Sequence, residues 1–358
     1  MRDHIVTIQS IIQSISQERI ATYKNSHFNN DEIECVGGYL WNKLLCSNLL
    51  PPLQLIEVSL RNALYYGYID SEVQRLVNEG KKIEEAKALV DILWFKTEIE
   101  KNTSPAESKR HIETAERQLV KQNKPITADN LISKLPLGFW ISFCSTAYDV
   151  NQTTNLQLWP TLRSIVFPNA IKEDKTPLSI KKIRDKLVYI NSIRNRLAHH
   201  EPMWNDKEHY SIENAVNKTA RIYADCLTVI NWINSSNLKL IKLLENDTKY
   251  ATLCVIGEIE RFKQLPKEMD KLEDLNAEEW LESVELDSRH NGIVIFKHEA
   301  KNFSLVKSSK DKNVFYLPAR LYPKNQSIKK GDLVNFEPVA NKHDKSKPKL
   351  KSLCLGHI

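Results

Sequence analysis

Arg194, Asn195, His199 and His200 are the residues whose types and spacing best suit chemistry, within the run Ile193-Arg194-Asn195-Arg196-Leu197-Ala198-His199-His200-Glu201-Pro202. A guanidinium offers phosphate a planar fork of donors, and an imidazole can move a proton near neutral pH. Together they suit attack of a ribose 2′-hydroxyl on its own phosphate, an RNA cleavage that needs no metal ion. The same residues could equally form a capping and hydrogen-bonding cluster at a helix end, and the run by itself leaves both readings open. No His-x-x-x-His zinc pair and no paired-carboxylate motif accompany it, so no cofactor is expected. With nine glycines and no Gly-Lys-Ser or Gly-Lys-Thr, a nucleotide triphosphatase is not expected either.

Those residues need a helix to carry them. Ile180, Ile183, Leu187, Ile190 and Leu197 recur at spacings of three, four and seven, which predicts a helix with one buried face. Asn191, Asn195 and His199 follow four apart and form a polar ridge along one edge of that helix. Pro202 disfavours helical geometry at Glu201. His199 and His200 are therefore expected in the last turn, where free carbonyls and the helix dipole favour imidazolium.

Arg194-Asn195-x-x-x-His199 resembles the Arg-x4-6-His motif of HEPN ribonucleases, and the string through Glu201-Pro202 is similar to the abortive-infection (Abi) branch related to AbiD and AbiF proteins. Trp41 with Leu44 and Leu45, then Leu55 to Asn62, resemble that branch's early helices. Leu137-Gly138-Phe139-Trp140, Leu158-Trp159 and Phe167-Pro168 look like its middle landmarks, and the likeness spans roughly residues 20 to 235. The resemblance implies an all-α HEPN-type domain acting as a homodimer, with two Arg/His motifs facing one RNA cleft. It implies Arg194 and His199 as the catalytic pair and Asn195 as the residue that holds the site's geometry; His200 also satisfies the spacing. Glu57 and Arg61 match polar cleft positions of the early helix, although at a spacing of four they could be an ordinary intrahelical ion pair. Arg61-Asn62 repeats the Arg-Asn pair, but Tyr66 stands where a histidine would be, so it is not a second copy. The implied activity is a metal-independent endoribonuclease of a phage-defence or toxin–antitoxin-like system, leaving 2′,3′-cyclic phosphate ends. For AbiF-like members a structured noncoding RNA partner is implied too. The competing class is a non-catalytic RNA-binding protein in which the HEPN domain is a dimerising scaffold.

From about Asn291 the pattern changes to short aliphatic and aromatic runs, 292–296, 303–306, 313–317 and 332–337, separated by Lys, Ser and Gly. These are strand signals. Gly292 to Phe296, Lys301 to Val306 and Val314 to Tyr316 resemble the first strand and the two RNA-binding motifs of a cold-shock domain, an OB-type barrel, with Asn302, Ser304, Leu305 and Leu317 departing from its usual residues. Phe296, Phe303 and Phe315, with Lys297 and Lys301, are the expected RNA contacts, and Tyr316 is expected to face inward or sideways. From Arg289 to Ile358 there are fifteen Lys and Arg against five Asp and Glu, a net of +10, whereas the whole chain is +6. Lys345, Lys347 and Lys349 lie in a lysine-rich segment suited to follow a phosphate backbone.

The predicted fold class is therefore α+β multidomain. An all-α HEPN-type domain (1–245), an acidic helical linker (246–288) and a small all-β OB/cold-shock-like barrel (289–358) follow in order. Lys81 to Lys124 reads as one or two long exposed helices, and Ile212 to Ile233 as the last core helix. Trp140, Trp159, Trp204 and Trp232 read as core anchors. The chain of 358 residues, 41% hydrophobic and 27% charged, has no apolar run near ~18 residues and no signal-peptide core. A cytoplasmic protein with no membrane contact is expected. Six scattered cysteines without a Cys-x-x-Cys pair predict buried thiols rather than disulfides or zinc.

Overall fold

A computed structural model describes residues 2–24, 28–29, 31–101, 106–151, 156–204, 211–277, 290–298, 300, 302–309, 312–322, 328–339 and 349–355. The chain divides into two units, one reaching Leu272 and one beginning at Glu273. The first is mostly helical and the second is built on a curled sheet, so the chain is α+β.

The helical unit opens with α1 (Arg2–Ile15) and α2 (Gln17–Lys24), which lead into α3 (Glu32–Asn78). At 47 residues, α3 is about 70 Å long by the usual rise per residue. Asp31 caps it, its carboxylate accepting from the amides of Ile33 and Glu34 at 2.8 and 3.0 Å. The two stretches that resemble early helices, Trp41 to Leu45 and Leu55 to Asn62, lie in one helix that runs through Pro51 and Pro52. A proline forfeits one backbone hydrogen bond and crowds the preceding turn. Here the flanks outweigh that cost: Leu45, Leu49, Leu53, Ile56, Leu60 and Leu64 form a buried stripe on both sides of the pair.

Helices α4 (Ile83–Leu89), α5 (Trp94–Glu100) and α6 (Ala106–Lys121) occupy the stretch expected as one or two long exposed helices. The middle one is buried, since Trp94, Phe95 and Ile99 enter the core. Thr127 caps α7 (Ala128–Ile132) through the amide of Asn130, and α8 (Leu137–Ser142) brings Phe139 and Trp140 inside. After α9 (Arg163–Val166) come α10 (Ile180–Ala198) and α11 (Ile212–Ile233). Ile180, Ile183, Leu187, Ile190 and Ile193 form the buried stripe of α10, with Leu197 half-buried. Trp140, Trp159 and Trp204 are core residues and Trp232 packs half-buried against them.

α12 (Leu238–Leu243), α13 (Asn246–Leu253) and α14 (Ile256–Gln264) complete the unit. The segment after residue 245 was expected to be a linker, but α13 and α14 pack on α3, with Tyr250, Ile259 and Phe262 in the shared core. The contact is close because of Gly37: a Cβ there would lie 2.1 Å from the Phe262 carbonyl oxygen. Acidic residues 278–287 and Trp280 lie outside the described residues. Cys35, Cys144 and Cys226 are buried thiols, and Cys46 and Cys254 are half-buried.

The second unit contains β1 (His290–His298), β2 (Phe303–Ser308), β3 (Val314–Pro318), β4 (Leu333–Val339) and β5 (Lys349–Leu355). β1 pairs antiparallel with β2 and β4, and β2 with β3. β5 pairs antiparallel with β4 and meets β3 in parallel at Tyr316–Lys349, closing the order β1-β2-β3-β5-β4. The lysine-rich segment read as a phosphate-tracking arm thus ends in a fifth strand. Val294, Val306, Phe315, Leu317, Val334 and Phe336 fill the interior. Gly292 also faces inward, where a Cβ would stand 2.7 Å from the Lys307 carbonyl oxygen and 2.8 Å from the Phe336 ring.

Candidate functional site

The end of α10 is a turn with an unusual occupant. The amides of His199, His200 and Glu201 donate to the carbonyls of Asn195, Leu197 and Arg196, so His199 is the C-cap and the chain closes in a Schellman motif. The residue just past the cap adopts the left-handed conformation, and here that residue is His200 at φ +58°. Glycine usually fills this position, because a side chain there costs roughly 1–2 kcal/mol. A left-handed residue of this kind can accompany a functional turn, although Ser16, Asn29, Asn123, Lys175, Glu245, Asn302 and Lys312 share the conformation.

Two side chains from other helices, and one from α10 itself, hold the backbone of this turn. Arg19 of α2 donates from Nη1 to the His199 carbonyl at 2.6 Å. Asn42 of α3 donates to the Glu201 carbonyl at 3.1 Å and accepts from the Met203 amide at 3.1 Å. Arg196 donates to the Pro202 carbonyl and lies 3.5 Å from the Glu201 carboxylate. Asn42 is fully buried, so its bonds are made in a low dielectric and are costly to lose. Both imidazoles remain exposed on this fixed frame.

The charge around the turn overturns one expectation. The helix dipole predicted a stabilised imidazolium, but the His200 pKa lies below the ordinary histidine value. Lys43 is the largest cause, followed by desolvation and by the positive charges of Arg19 and His199. Nearby side-chain cations disfavour a further positive charge on the ring. The shift favours the neutral imidazole, the form that can accept a proton.

Arg194 occupies another edge of α10. Its Nε stands 4.0 Å from a Glu57 carboxylate oxygen, and with the Arg194 side chain 42% exposed such a pair orients the guanidinium while contributing about 0–1 kcal/mol. Leu50, Gln54, Glu57, Val58, Arg61 and Arg194 line an open groove of about 450 Å³. Glu57 therefore pairs across to α10, and the simple Glu57–Arg61 intrahelical pair is not formed. The Arg61 Nε is buried without a hydrogen-bond partner.

The polar ridge is less unified than its spacing suggests. Asn191 is half-buried beside Gly138 of α8, where a Cβ would lie 3.4 Å from its Nδ2, whereas Asn195 is exposed. Asn195 contributes its backbone carbonyl to the turn, and the geometry is held instead by Asn42, Arg19 and Arg196. Arg19 and Asn42 escaped the sequence because their contacts cross 180 and 159 residues. Among the described residues no three His, Cys, Asp or Glu side chains converge as metal ligands would.

The outer face of the barrel gathers a second set of residues. Phe303 lies 5.1 Å from Tyr316, 5.2 Å from His298 and 6.2 Å from Phe296, ring centre to ring centre. Phe296 and Tyr316 are exposed. Two expectations reverse here: Phe315 is buried in the barrel core, 4.9 Å from Phe336, while Tyr316 faces outward. Strand alternation explains both, since adjacent residues of β3 must point to opposite faces. His298, which sequence reasoning left out, completes the patch. Lys297 lies half-exposed on β1, and Lys349 falls in β5. Lys301, Lys345 and Lys347 lie outside the described residues.

The protein is thus a helical domain with a clamped Arg/His helix end, followed by a small barrel bearing an aromatic face. A family model described as "Abi-like protein" matches residues 10–205, and the chain belongs to that family. No curated protein and no solved structure matches the chain. Among the described residues no helix is long and apolar enough to cross a membrane.

Proposed function

We propose that this protein is a HEPN-type, metal-independent endoribonuclease of an abortive-infection system that defends against phage. The observation that carries the reading is the clamped turn: His200 in a left-handed conformation beside His199, on the helix that carries Arg194, with neighbouring cations favouring the neutral imidazole. In the reaction, Arg194 holds the non-bridging oxygens of the scissile phosphate. The neutral His200 takes the proton of the 2′-hydroxyl as that oxygen attacks phosphorus. The bond to the 5′-oxygen breaks, and the neighbouring His199 supplies the proton that oxygen needs. The products are a 2′,3′-cyclic phosphate and a 5′-hydroxyl.

A homodimer belongs to this reading. Arg194 and His199, five residues apart, lie about 140° apart around a helix axis, so two copies facing each other can bring the Arg of one and the histidines of the other to one phosphate. Leu40, Leu44, Leu50 and Val58 stand exposed along α3 and offer an apolar surface for that contact. The barrel, whose strand order is that of an OB fold, binds the RNA through its aromatic face and the net +10 charge of the carboxyl-terminal residues. A structured noncoding RNA is one partner such a barrel could hold.

The test is to incubate the protein with end-labelled structured and single-stranded RNAs in excess EDTA, beside a His199→Ala/His200→Ala variant. EDTA-resistant cuts with cyclic phosphate ends that vanish in the variant are expected, since losing a general acid/base costs about 10²–10⁴ in rate. RNA bound by both proteins and cut by neither, in the presence of phage extract as well as without it, would favour the non-catalytic scaffold.

A further inference from the structure

The outer face of the barrel is ordered into cross-strand rows. The registers place His298, Phe303 and Pro318 in one row and Phe296, Leu305 and Tyr316 in the next. A third row contains Leu333, Ile293, Lys307 and Val314, running from β4 to β3. The first two rows are the aromatic patch already described. The third is different, because its three aliphatic side chains are 41–44% exposed.

Leu333, Ile293 and Lys307 of that row floor a cavity of about 500 Å³ whose lining also includes Asn291, Lys312 and Asn335. Asn335 donates from Nδ2 to Asn291 Oδ1 at 3.0 Å. In either orientation of the two amides, one NH2 and one carbonyl oxygen remain unused at the cavity rim. An adjacent donor and acceptor above a flat aliphatic floor is the complement of a nucleobase edge. Lys307 lies in the row itself, and Lys312 folds over the neighbouring turn with its Nζ 3.2 Å from the Ser309 carbonyl. Both cations fit the phosphates flanking such a base.

We infer that this cavity is a base-reading pocket, continuous with the aromatic rows, that takes one unstacked nucleobase of a single-stranded RNA. The inference rests on the barrel binding RNA, and it assigns the pocket a separate task. Stacking on Phe296, Phe303 and Tyr316 tolerates any base, since every base has a π-face. The Asn291–Asn335 pair discriminates among bases, because a mismatched edge leaves donors or acceptors unpaired.

The full-length protein, with cleavage silenced by His199→Ala/His200→Ala, is titrated against fluorescein-labelled oligo(rU), oligo(rC) and oligo(rA) at fixed salt. The parent should separate the best from the worst oligomer by about tenfold, as expected of one bidentate amide–base contact. Adding Asn291→Ala/Asn335→Ala should bring the three affinities together with little change in Tm, since the bond they share is exposed. Leu333→Glu should weaken the preferred oligomer most. Adding Phe303→Ala/Tyr316→Ala instead should weaken all three and keep their ranking. If the parent binds all three oligomers alike, or the Asn variant keeps the original spread, the pocket does not read bases. If the parent binds none of them, the RNA reading of the barrel fails first and this inference with it.

Discussion

At the end of α10 two exposed imidazoles sit on a backbone gripped from three directions, by Arg19, Asn42 and Arg196. On the barrel, the rings of Phe296, Phe303 and Tyr316 project from a regular ladder, with Phe303 between its neighbours Phe296, His298 and Tyr316. The two regions are fixed to different tolerances. Proton transfer loses rate steeply when the reacting groups shift by about 1 Å, and the turn that carries the histidines is held at the carbonyls of His199, Glu201 and Pro202. Stacking accepts lateral slip, and a sheet face supplies area without such clamps.

The largest effect expected from a single change is at Arg194. Arg194→Ala should slow cleavage by about 10²–10³, the usual loss for one group that stabilises developing charge, while RNA affinity set by the barrel changes little. Single-turnover cleavage at saturating RNA measures it. An equal fall in binding would mean that Arg194 only clamps RNA, and the two regions would then share one role.

Within the barrel, Tyr316→Ala and Phe315→Ala separate face from core. Tyr316→Ala should cost about 1–3 kcal/mol of single-strand affinity and leave Tm in place. Phe315→Ala should cost about 3–5 kcal/mol of stability in its unit, visible in thermal unfolding. Similar behaviour in both would contradict the alternation seen in β3.

Asn42→Ala tests whether the clamp matters for rate beyond stability. The unpaired Glu201 carbonyl and Met203 amide should destabilise the helical unit by about 1–3 kcal/mol, and kcat should fall with KM nearly unchanged. A loss of stability with kcat intact would leave the clamp a purely structural device.

The smallest effect concerns pH. Protonated His200 cannot accept the 2′-hydroxyl proton, so its lowered pKa extends cleavage toward acid. Lys43→Gln removes the largest cause of that lowering and should move the acidic limb of kcat to higher pH. An unmoved limb would remove His200 from the base role.

The helix of the Arg/His run and its buried stripe were legible in the sequence because Ile180, Ile183, Leu187 and Ile190 repeat at helical spacing. The strands β1 to β4 were legible from their aliphatic runs, whereas β5 was hidden by lysines at 349 and 351. A continuous α3 was not legible, because Pro51-Pro52 reads locally as a break and only tertiary burial overrides it. Phe315 and Tyr316 exchanged roles because sequence alternation leaves open which parity faces the core. The clamp of the histidine turn had no local signal, since Arg19 and Asn42 meet it only after folding.

The most direct measurement combines stability and cleavage in a His199→Ala/His200→Gly variant. Glycine suits the left-handed position past the C-cap, so the turn is kept while both imidazoles are removed. A Tm equal to or above that of the parent, with cleavage reduced by about 10²–10⁴, is the predicted result. A variant that is equally stable and still cuts RNA at the parent rate would show that the clamped turn is a helix cap and that the chemistry lies elsewhere.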